Sequence, residues 1–172
     1  NEVHLAGGRY DVYGIALTGV PAVVIGRNRK IAWGFTNGMV DDIDYYIEKL
    51  DAKDKNRYKT ATGWKNFTEV QEIIKVKNQP DVIEKIRFTE HGPVVSSLLN
   101  MEDLGECVAM KWMGFRNITE IGALLKVDTA QNWPDFLDGL RLMETPAQNA
   151  VYADIDGNIG YCFAGKIPIR AK

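Results

Sequence analysis

The sequence has few of the residues from which common hydrolytic and metal sites are built. Its 172 residues include two histidines and two cysteines, and its only serines are Ser96 and Ser97. A serine–histidine–aspartate triad needs a serine and a histidine that can meet, and neither serine lies in a nucleophile-elbow pattern. No second cysteine or histidine stands at ligand spacing from Cys107 or Cys162. These absences argue against a serine triad and against a metal–thiolate site.

Long apolar runs and long charged runs are also missing. No apolar stretch approaches the roughly 20 residues that span a bilayer. The 21 lysines and arginines are interspersed with 23 acids, which gives no support to a nucleic-acid groove or a membrane-surface patch. The chain opens on Asn1 without a methionine or a targeting segment. We therefore expect a piece that was processed or excised from a longer chain.

The residues that are present are typical of a folded domain. Hydrophobic residues make up 45% and charged residues 26% of the chain, which is enough apolar material for one core, so we expect one domain over residues 1–172. Both cysteines lie in apolar, strand-like runs and are expected to be buried free thiols, with a disulfide left open.

Strand patterns fill the first half of the chain. Runs rich in Val, Ile, Tyr and Trp, separated by turn residues, predict strands at residues 10–17, 22–26 and 30–35. Residues 70–77 and 82–89 alternate apolar and polar side chains around a turn, which predicts an exposed hairpin arm. A further strand is predicted at residues 91–95.

Helices are predicted only later in the chain, at residues 118–126 and 132–143. Asn132 is a capping residue and Pro134 suits a first turn, and apolar residues then recur at helical spacing at Phe136, Leu137, Leu140 and Met143. The chain then returns to strand at residues 150–154 and 159–163. Strands first and helices later predict an α+β fold that is strand-rich with few helices.

Two acidic stretches raise the question of a cation site. Asp41, Asp42 and Asp44 place three carboxylates within four residues, and these repel one another unless a cation such as calcium, water or a basic residue offsets them. The alternative is a solvated loop in which Asp44 caps a turn. The stretch from Asp154 to Asn158 echoes a calcium loop, but it lacks the later ligands and fits an Asp-Gly hairpin turn better.

Several stretches together resemble one enzyme family. They are Leu5 through Asp11, Gly19-Val20-Pro21, Val24-Ile25-Gly26-Arg27-Asn28, Ile31-Ala32-Trp33-Gly34-Phe35-Thr36-Asn37, Asp41 through Glu48, His91-Gly92-Pro93, Lys111-Trp112, Asn132-Trp133, Tyr152 through Tyr161 and Gly165-Lys166-Ile167-Pro168. In this order they resemble the nucleophile-bearing β subunit of the penicillin acylases, which are N-terminal-nucleophile hydrolases.

The resemblance implies a fold and a division of labour. The fold would be part of an αββα sandwich. A serine exposed by autocatalytic cleavage would attack the amide, with its own α-amino group as the base. That serine would precede the segment by roughly thirty residues, and the oxyanion asparagine would lie beyond Lys172, so the segment alone should be inactive. The α subunit and the remainder of the β subunit would be its partners, in the periplasm or outside the cell.

The resemblance also assigns roles to individual residues. Asn37 matches the residue whose backbone N–H helps to form the oxyanion hole. Ile25 matches a position in the acyl pocket where the best-known members carry an aromatic residue, and Leu124 or Leu125 falls near a pocket tryptophan. Three further residues match structural calcium ligands, and these are the side chains of Asp41 and Asp44 and the backbone carbonyl of Ile43.

The substrate would be a small N-acyl compound, such as a penicillin-type β-lactam or a related acyl amide. An aliphatic residue at position 25 puts a phenylacetyl group in doubt and would suit an aliphatic acyl chain as readily. One alternative is an acylase devoted to acyl-homoserine lactones. Another, from a different class, is a binding module derived from the same fold that has lost catalysis.

Overall fold

The computed structural model describes residues 1–101, 105–116 and 119–170. It forms two compact units, one made of Asn1–Asp42 with Arg116–Lys172 and the other of Ile43–Phe115. The expectation that residues 1–172 form a single domain stays a prediction. In the described ranges, no helix is long and apolar enough to cross a membrane.

The described residues form a strand-rich structure with two α-helices, which confirms the predicted α+β class. The elements are β1 (Glu2–Gly7), β2 (Tyr10–Ile15), β3 (Ile25–Arg27), β4 (Ile31–Asn37), β5 (Ile43–Glu48), β6 (Arg57–Thr60), β7 (Gly63–Asn66), β8 (Thr68–Ile74), β9 (Val82–Phe88), β10 (Cys107–Trp112), α1 (Glu120–Asp128), α2 (Trp133–Leu140), β11 (Gln148–Asp154) and β12 (Ile159–Ala164).

The first unit is built on a six-stranded sheet in the order β1-β2-β3-β4-β11-β12. Its neighbouring strands pair antiparallel. Alternate residues of β4 are buried, because side chains of a strand point to opposite faces. The buried face and the helices form one core. Its buried members include Val12, Val23, Ile31, Trp33, Phe35, Leu124, Val127, Phe136, Leu140, Met143 and Tyr152.

The second helix follows the predicted start but ends early. The Asn132 side chain accepts a hydrogen bond from the Asp135 backbone N–H at 2.9 Å, which confirms the predicted cap. The helix ends at Leu140 rather than near residue 143, because the Met143 N–H bonds back three residues to the Leu140 carbonyl in a tighter turn. Met143 is nevertheless buried. Helix α1 runs two residues beyond its predicted end, and Ile118 lies outside the described residues.

The predicted strand at residues 22–26 is shorter in the structure. Only Ile25–Arg27 pair as β3. Val23 is fully buried, but its backbone N–H donates to the Asp128 side chain at 3.0 Å instead of to a neighbouring strand. A long-range side-chain contact has therefore replaced ladder pairing, and local strand patterns do not register such contacts.

The second unit consists of three two-stranded pairings, β5 with β10, β6 with β7 and β8 with β9. Strands β8 and β9 confirm the predicted exposed hairpin arm. The predicted strand at residues 91–95 is absent, and two isolated bridges stand in its place at Pro93 and Val94. Pro93 has no N–H to donate to a ladder, which limits pairing there.

The turn between β11 and β12 is a hairpin held by one carboxylate, as predicted. The Asp154 side chain accepts hydrogen bonds from the backbone N–H groups of Asp156 and Asn158, from the Asn158 amide and from the Tyr152 hydroxyl, at 2.9 to 3.0 Å. Hydrogen bonding, above all from the Asn158 side chain, lowers the pKa of Asp154. Burial and then the bond to Asp154 raise the pKa of Tyr152 to about 12. Both carboxylate oxygens are engaged by the turn itself, which fits a hairpin rather than a calcium loop.

Both cysteines are free thiols, as expected. Cys107 is buried as predicted, whereas Cys162 is only half-buried. Burial raises the pKa of Cys107, which keeps it protonated and unreactive at neutral pH.

Candidate active-site cavity

One cavity of about 480 Å³ lies within the first unit. This volume falls within the range of small-molecule pockets. Its apolar lining residues are Leu17, Val20, Val24, Ile25, Phe35, Ile121, Leu124, Met143 and Pro146, and its polar ones are Thr36, Asn37, Glu120 and Gln148. A mostly apolar wall with a few polar groups is typical of a site that binds a small molecule.

Three of the residues singled out in the sequence meet in this cavity. Asn37, Ile25 and Leu124 all line it. Leu125 instead lines a second cavity of about 410 Å³, together with His4 and Tyr10. Of the two leucines between which the resemblance left the register open, the structure therefore places Leu124 beside Ile25. The roles assigned to these residues stay predictions.

Strand pairing fixes the direction of the Asn37 backbone N–H. The Gly38 N–H donates to the Ala147 carbonyl at 2.7 Å. Antiparallel ladders alternate bonded and non-bonded pairs, so the next pair, Asn37 with Gln148, is non-bonded and the one after, Thr36 with Asn149, is bonded. The Thr36 carbonyl therefore points towards β11, and in a trans peptide the Asn37 N–H points the opposite way.

The opposite side of β4 offers no ladder partner at this level. There β3 pairs only with Ala32 and Trp33, and Asn37 lies four residues beyond the last of these. The Asn37 N–H thus projects towards the side on which Val24 and Ile25 line the cavity. A backbone donor in this position can bind an oxygen of a ligand.

A polar network that no sequence pattern indicated surrounds Asn37. The Asn149 amide donates to the Asn37 carbonyl at 3.1 Å and to the Thr36 hydroxyl at 3.3 Å. The Tyr161 hydroxyl donates to the Asn149 carbonyl oxygen at 2.7 Å, and the Gln148 amide donates to the Asn37 side chain at 3.2 Å. More than a hundred residues separate Asn149 from Asn37, so no local pattern could have linked them.

Glu120 fixes another wall of the cavity and was also missed. Its Oε1 atom accepts hydrogen bonds from the backbone N–H groups of Glu144 and Thr145, each at 2.8 Å. This holds the loop that carries Met143 and Pro146 against the first turn of α1. Its Oε2 atom is buried without a hydrogen-bond partner among the described residues. The sequence signal was weak, since a glutamate in a first helical turn is ordinary.

Asp128 binds the chain segment that precedes two residues of the cavity wall. It is 1% exposed, and its Oδ2 atom accepts the Val23 N–H, which lies next to Val24 and Ile25 in the chain. Burial is the main cause that raises its pKa to about 6, against a smaller lowering by the Val23 bond. Its Oδ1 atom is buried without a partner among the described residues. A buried carboxyl therefore holds the segment that forms one cavity wall.

The acidic stretch is divided between the two units. In the first unit, Arg170 lies 3.3 Å from the Asp41 carboxylate and donates to the Asp41 carbonyl at 3.0 Å, while Asp42 accepts the Thr145 hydroxyl at 3.0 Å. In the second unit, Ile43 and Asp44 begin β5. Across residues 1–101, 105–116 and 119–170, no three His, Cys, Asp or Glu side chains gather into a group that could hold a metal ion. These residues can supply only part of a calcium site, which needs about 6 to 8 oxygens.

Comparison with known proteins gives consistent results over the whole chain. The sequence is 29% identical to acyl-homoserine lactone acylase QuiP of Pseudomonas aeruginosa, an alignment that covers 100% of this chain and 21% of the relative. It is 29% identical to penicillin G acylase of Escherichia coli, with 98% of this chain and 20% of the relative covered. The chain thus spans about one fifth of the length of these relatives.

A solved structure shares the fold. The thermostable penicillin G acylase from Alcaligenes faecalis, in its orthorhombic form, superposes with a TM-score of 0.85 at 34% identity, over 95% of this chain and 29% of that one. The model of the penicillin amidase family matches residues 1–172. The match covers the cavity, the strand that ends at Asn37 and the hairpin that braces it, and this chain therefore belongs to the penicillin amidase family.

Proposed function

We propose that this chain is the acyl-binding and oxyanion-donating segment of an amidohydrolase that cleaves the amide bond of N-acyl compounds. The observation that carries the proposal is the position of the Asn37 N–H, which is directed away from β11 at the rim of an apolar cavity. An acyl chain in the cavity would bring its carbonyl oxygen to this donor. A binding module without catalysis would need the apolar wall but not the directed N–H.

The chemistry would proceed by acyl transfer. A serine oxygen, supplied by a part of the protein outside this sequence, attacks the carbonyl carbon, and the Asn37 N–H helps to stabilise the negative charge on the carbonyl oxygen. The C–N bond then breaks, the amine leaves with a proton, and water hydrolyses the acyl-serine ester to release the acid. The α subunit and the rest of the β subunit would complete the site. By family resemblance we also propose a periplasmic or secreted location.

The proposed substrates follow from the cavity wall. Ile25 and Leu124 give an aliphatic surface, which accepts aliphatic chains as well as aromatic rings. The relatives are named for penicillin G and for acyl-homoserine lactones. Penicillin-type β-lactams and related acyl amides are therefore the first proposal. Acyl-homoserine lactones are the second, favoured by the aliphatic residue at position 25.

Substrate profiling of the complete processed enzyme tests this proposal. Phenylacetyl and long-chain acyl amides should both be hydrolysed, and glutaryl amides poorly, because the cavity wall gives the glutaryl carboxylate little polar surface. Ile25→Phe should lower the ratio of kcat/KM for long-chain substrates to kcat/KM for phenylacetyl substrates at least about tenfold. The reason is that a small change in an apolar pocket is worth about 1 to 3 kcal/mol.

The matched control is Ile159→Phe, which makes the same change at a side chain that is 87% exposed on β12. This variant should keep the substrate ratio of the unsubstituted enzyme. Hydrolysis of none of the three amide classes would contradict the proposed function. An unchanged ratio in Ile25→Phe, with activity present, would remove Ile25 from the pocket.

We propose structural calcium from the family resemblance, with Asp41, Ile43 and Asp44 as partial ligands. Calcium titration of the complete processed protein should show binding that Asp44→Ala weakens by more than about tenfold. Removing a residue that only hydrogen-bonds to a metal ligand already weakens metal binding by about tenfold, so removing a ligand should weaken it more. Glu84→Ala is the control, because Glu84 is an exposed carboxylate on the β9 arm. Equal affinity in Asp44→Ala and the unsubstituted protein would exclude Asp44 as a ligand.

A further inference from the structure

We propose that Asn149 and Tyr161 are positioning residues that hold the Asn37 peptide in the orientation needed for oxyanion binding, an inference that rests on the proposed function. Neither residue lines the cavity of about 480 Å³, so they would act through Asn37 rather than by touching the substrate. The three residues lie on three neighbouring strands: Asn37 ends β4, Asn149 lies on β11 and Tyr161 lies on β12.

Register places the Asn149 side chain beside the end of β4. Asn149 pairs with Thr36, one residue before Asn37. From there its Nδ2 atom donates to the Asn37 carbonyl at 3.1 Å and to the Thr36 hydroxyl at 3.3 Å. The Asn37 N–H belongs to the peptide bond between Thr36 and Asn37, and each of these two residues supplies one of the acceptors. The amide thus holds the backbone immediately around the donor.

Tyr161 fixes the orientation of that amide. Its hydroxyl donates to Asn149 Oδ1 at 2.7 Å. An asparagine amide turned by 180° would present its oxygen to the Asn37 carbonyl and its NH₂ group to the tyrosine oxygen. Because two facing carbonyl oxygens repel each other, the bond from Tyr161 selects the orientation in which Nδ2 faces Asn37. Tyr161 is 61% exposed, and this bond is what gives its hydroxyl a defined partner.

The other end of the same segment is held by close packing. The Gly38 N–H donates to the Ala147 carbonyl at 2.7 Å. A Cβ atom at Gly38 would lie 2.6 Å from the Phe163 ring and 3.0 Å from the Ala147 carbonyl oxygen. The chain can therefore approach β11 this closely only with glycine at position 38. With Asn149 on one side and Ala147 on the other, the torsions of Asn37 have little freedom.

Fixing the donor matters for catalysis because preorganised N–H groups need no reorientation as charge develops on the oxygen. The network is also electrically neutral. Asn149, Tyr161 and Thr36 contribute amide and hydroxyl groups, so their contacts add no negative charge beside the forming oxyanion. Positioning should therefore affect the transition state more than binding of the neutral amide substrate.

The test uses the complete processed enzyme, with the substrate that the unsubstituted protein hydrolyses fastest among phenylacetyl and long-chain acyl amides. Asn149→Ala should lower kcat about tenfold and Tyr161→Phe about threefold, in line with the loss of one or two hydrogen bonds. KM should stay within about twofold in both. Asn149→Asp keeps the acceptor for Tyr161 but replaces the donor with negative charge, so it should lower kcat more than alanine does.

The control is Ile159→Ala, on the same strand as Tyr161 and 87% exposed, which should leave kcat and KM unchanged. A purely structural role would predict equal losses in Asn149→Ala and Asn149→Asp that follow the fall in thermal unfolding temperature. That pattern, or an unchanged kcat in Asn149→Ala, would overturn the positioning role while leaving the proposed function intact. Absence of hydrolysis by the unsubstituted enzyme would overturn the proposed function and this inference with it.

Discussion

Asn37→Pro in the complete processed enzyme should lower kcat about 100- to 1,000-fold, with KM changed only a few-fold. Proline has no backbone N–H, and losing one oxyanion donor typically costs this much in kcat. The substitution suits the position, because the pair of Asn37 with Gln148 is a non-bonded pair of the ladder and no hydrogen bond to β11 is lost. Steady-state kinetics with the best acyl amide substrate measures the effect.

Asn37→Ala is the matched comparison for this variant. It keeps the N–H and removes the side-chain contact with the Gln148 amide, so kcat should fall no more than a few-fold. Circular dichroism and thermal unfolding establish that both variants fold. If proline and alanine reduce kcat equally in folded protein, the backbone N–H of Asn37 is not the donor.

Asp128→Asn should remove a pH dependence of stability that the unsubstituted protein shows between pH 4 and 7. The pKa of Asp128 rises from 3.8 to about 6 in the folded protein, mainly because of burial. Below pH 3.8 the carboxyl is protonated in both the folded and the unfolded protein, so its burial does not lower the free energy of unfolding through ionisation. As the pH rises towards 6, the unfolded chain ionises while the folded chain does not, so stability is lost by up to about 3 kcal/mol.

Relative to the unsubstituted protein, the free energy of unfolding of Asp128→Asn should therefore rise by up to about 3 kcal/mol between pH 4 and pH 7.5. Urea unfolding of the complete protein at several pH values measures this difference. Asp138→Asn is the control, because Asp138 is exposed and pairs with Arg141 at the surface; its effect should stay within about 0.5 kcal/mol. A difference that does not vary with pH would show that Asp128 titrates at its ordinary value.

Local sequence signals predicted the local elements well. The capping residue Asn132 set the start of α2 as expected, and the Asp-Gly turn formed the β11–β12 hairpin. Such features depend on bonds between residues a few positions apart, so a single sequence contains the necessary information. The predictions were wrong where a distant group intervened, as at Val23, whose N–H bonds to Asp128 instead of to a strand.

Only part of the candidate site could be predicted from the sequence. Asn37, Ile25 and Leu124 were identified by family resemblance, and the structure brings all three to one cavity. Glu120 and Asn149 were missed, because their roles arise from hydrogen bonds to chain segments that lie 24 to 112 residues away. Neither residue type is unusual in a helix turn or a strand, so neither stands out locally.

By itself the sequence determined the fold class, the turn and cap residues, the apolar faces of the strands and the family to which the chain belongs. Only the tertiary structure decided which side of β4 carries the Asn37 N–H, which of two leucines lines the cavity beside Ile25 and which amide bonds to the Asn37 carbonyl. The reason is physical. Periodicity and capping are short-range effects, whereas strand register and buried hydrogen bonds depend on which distant segments come to lie side by side.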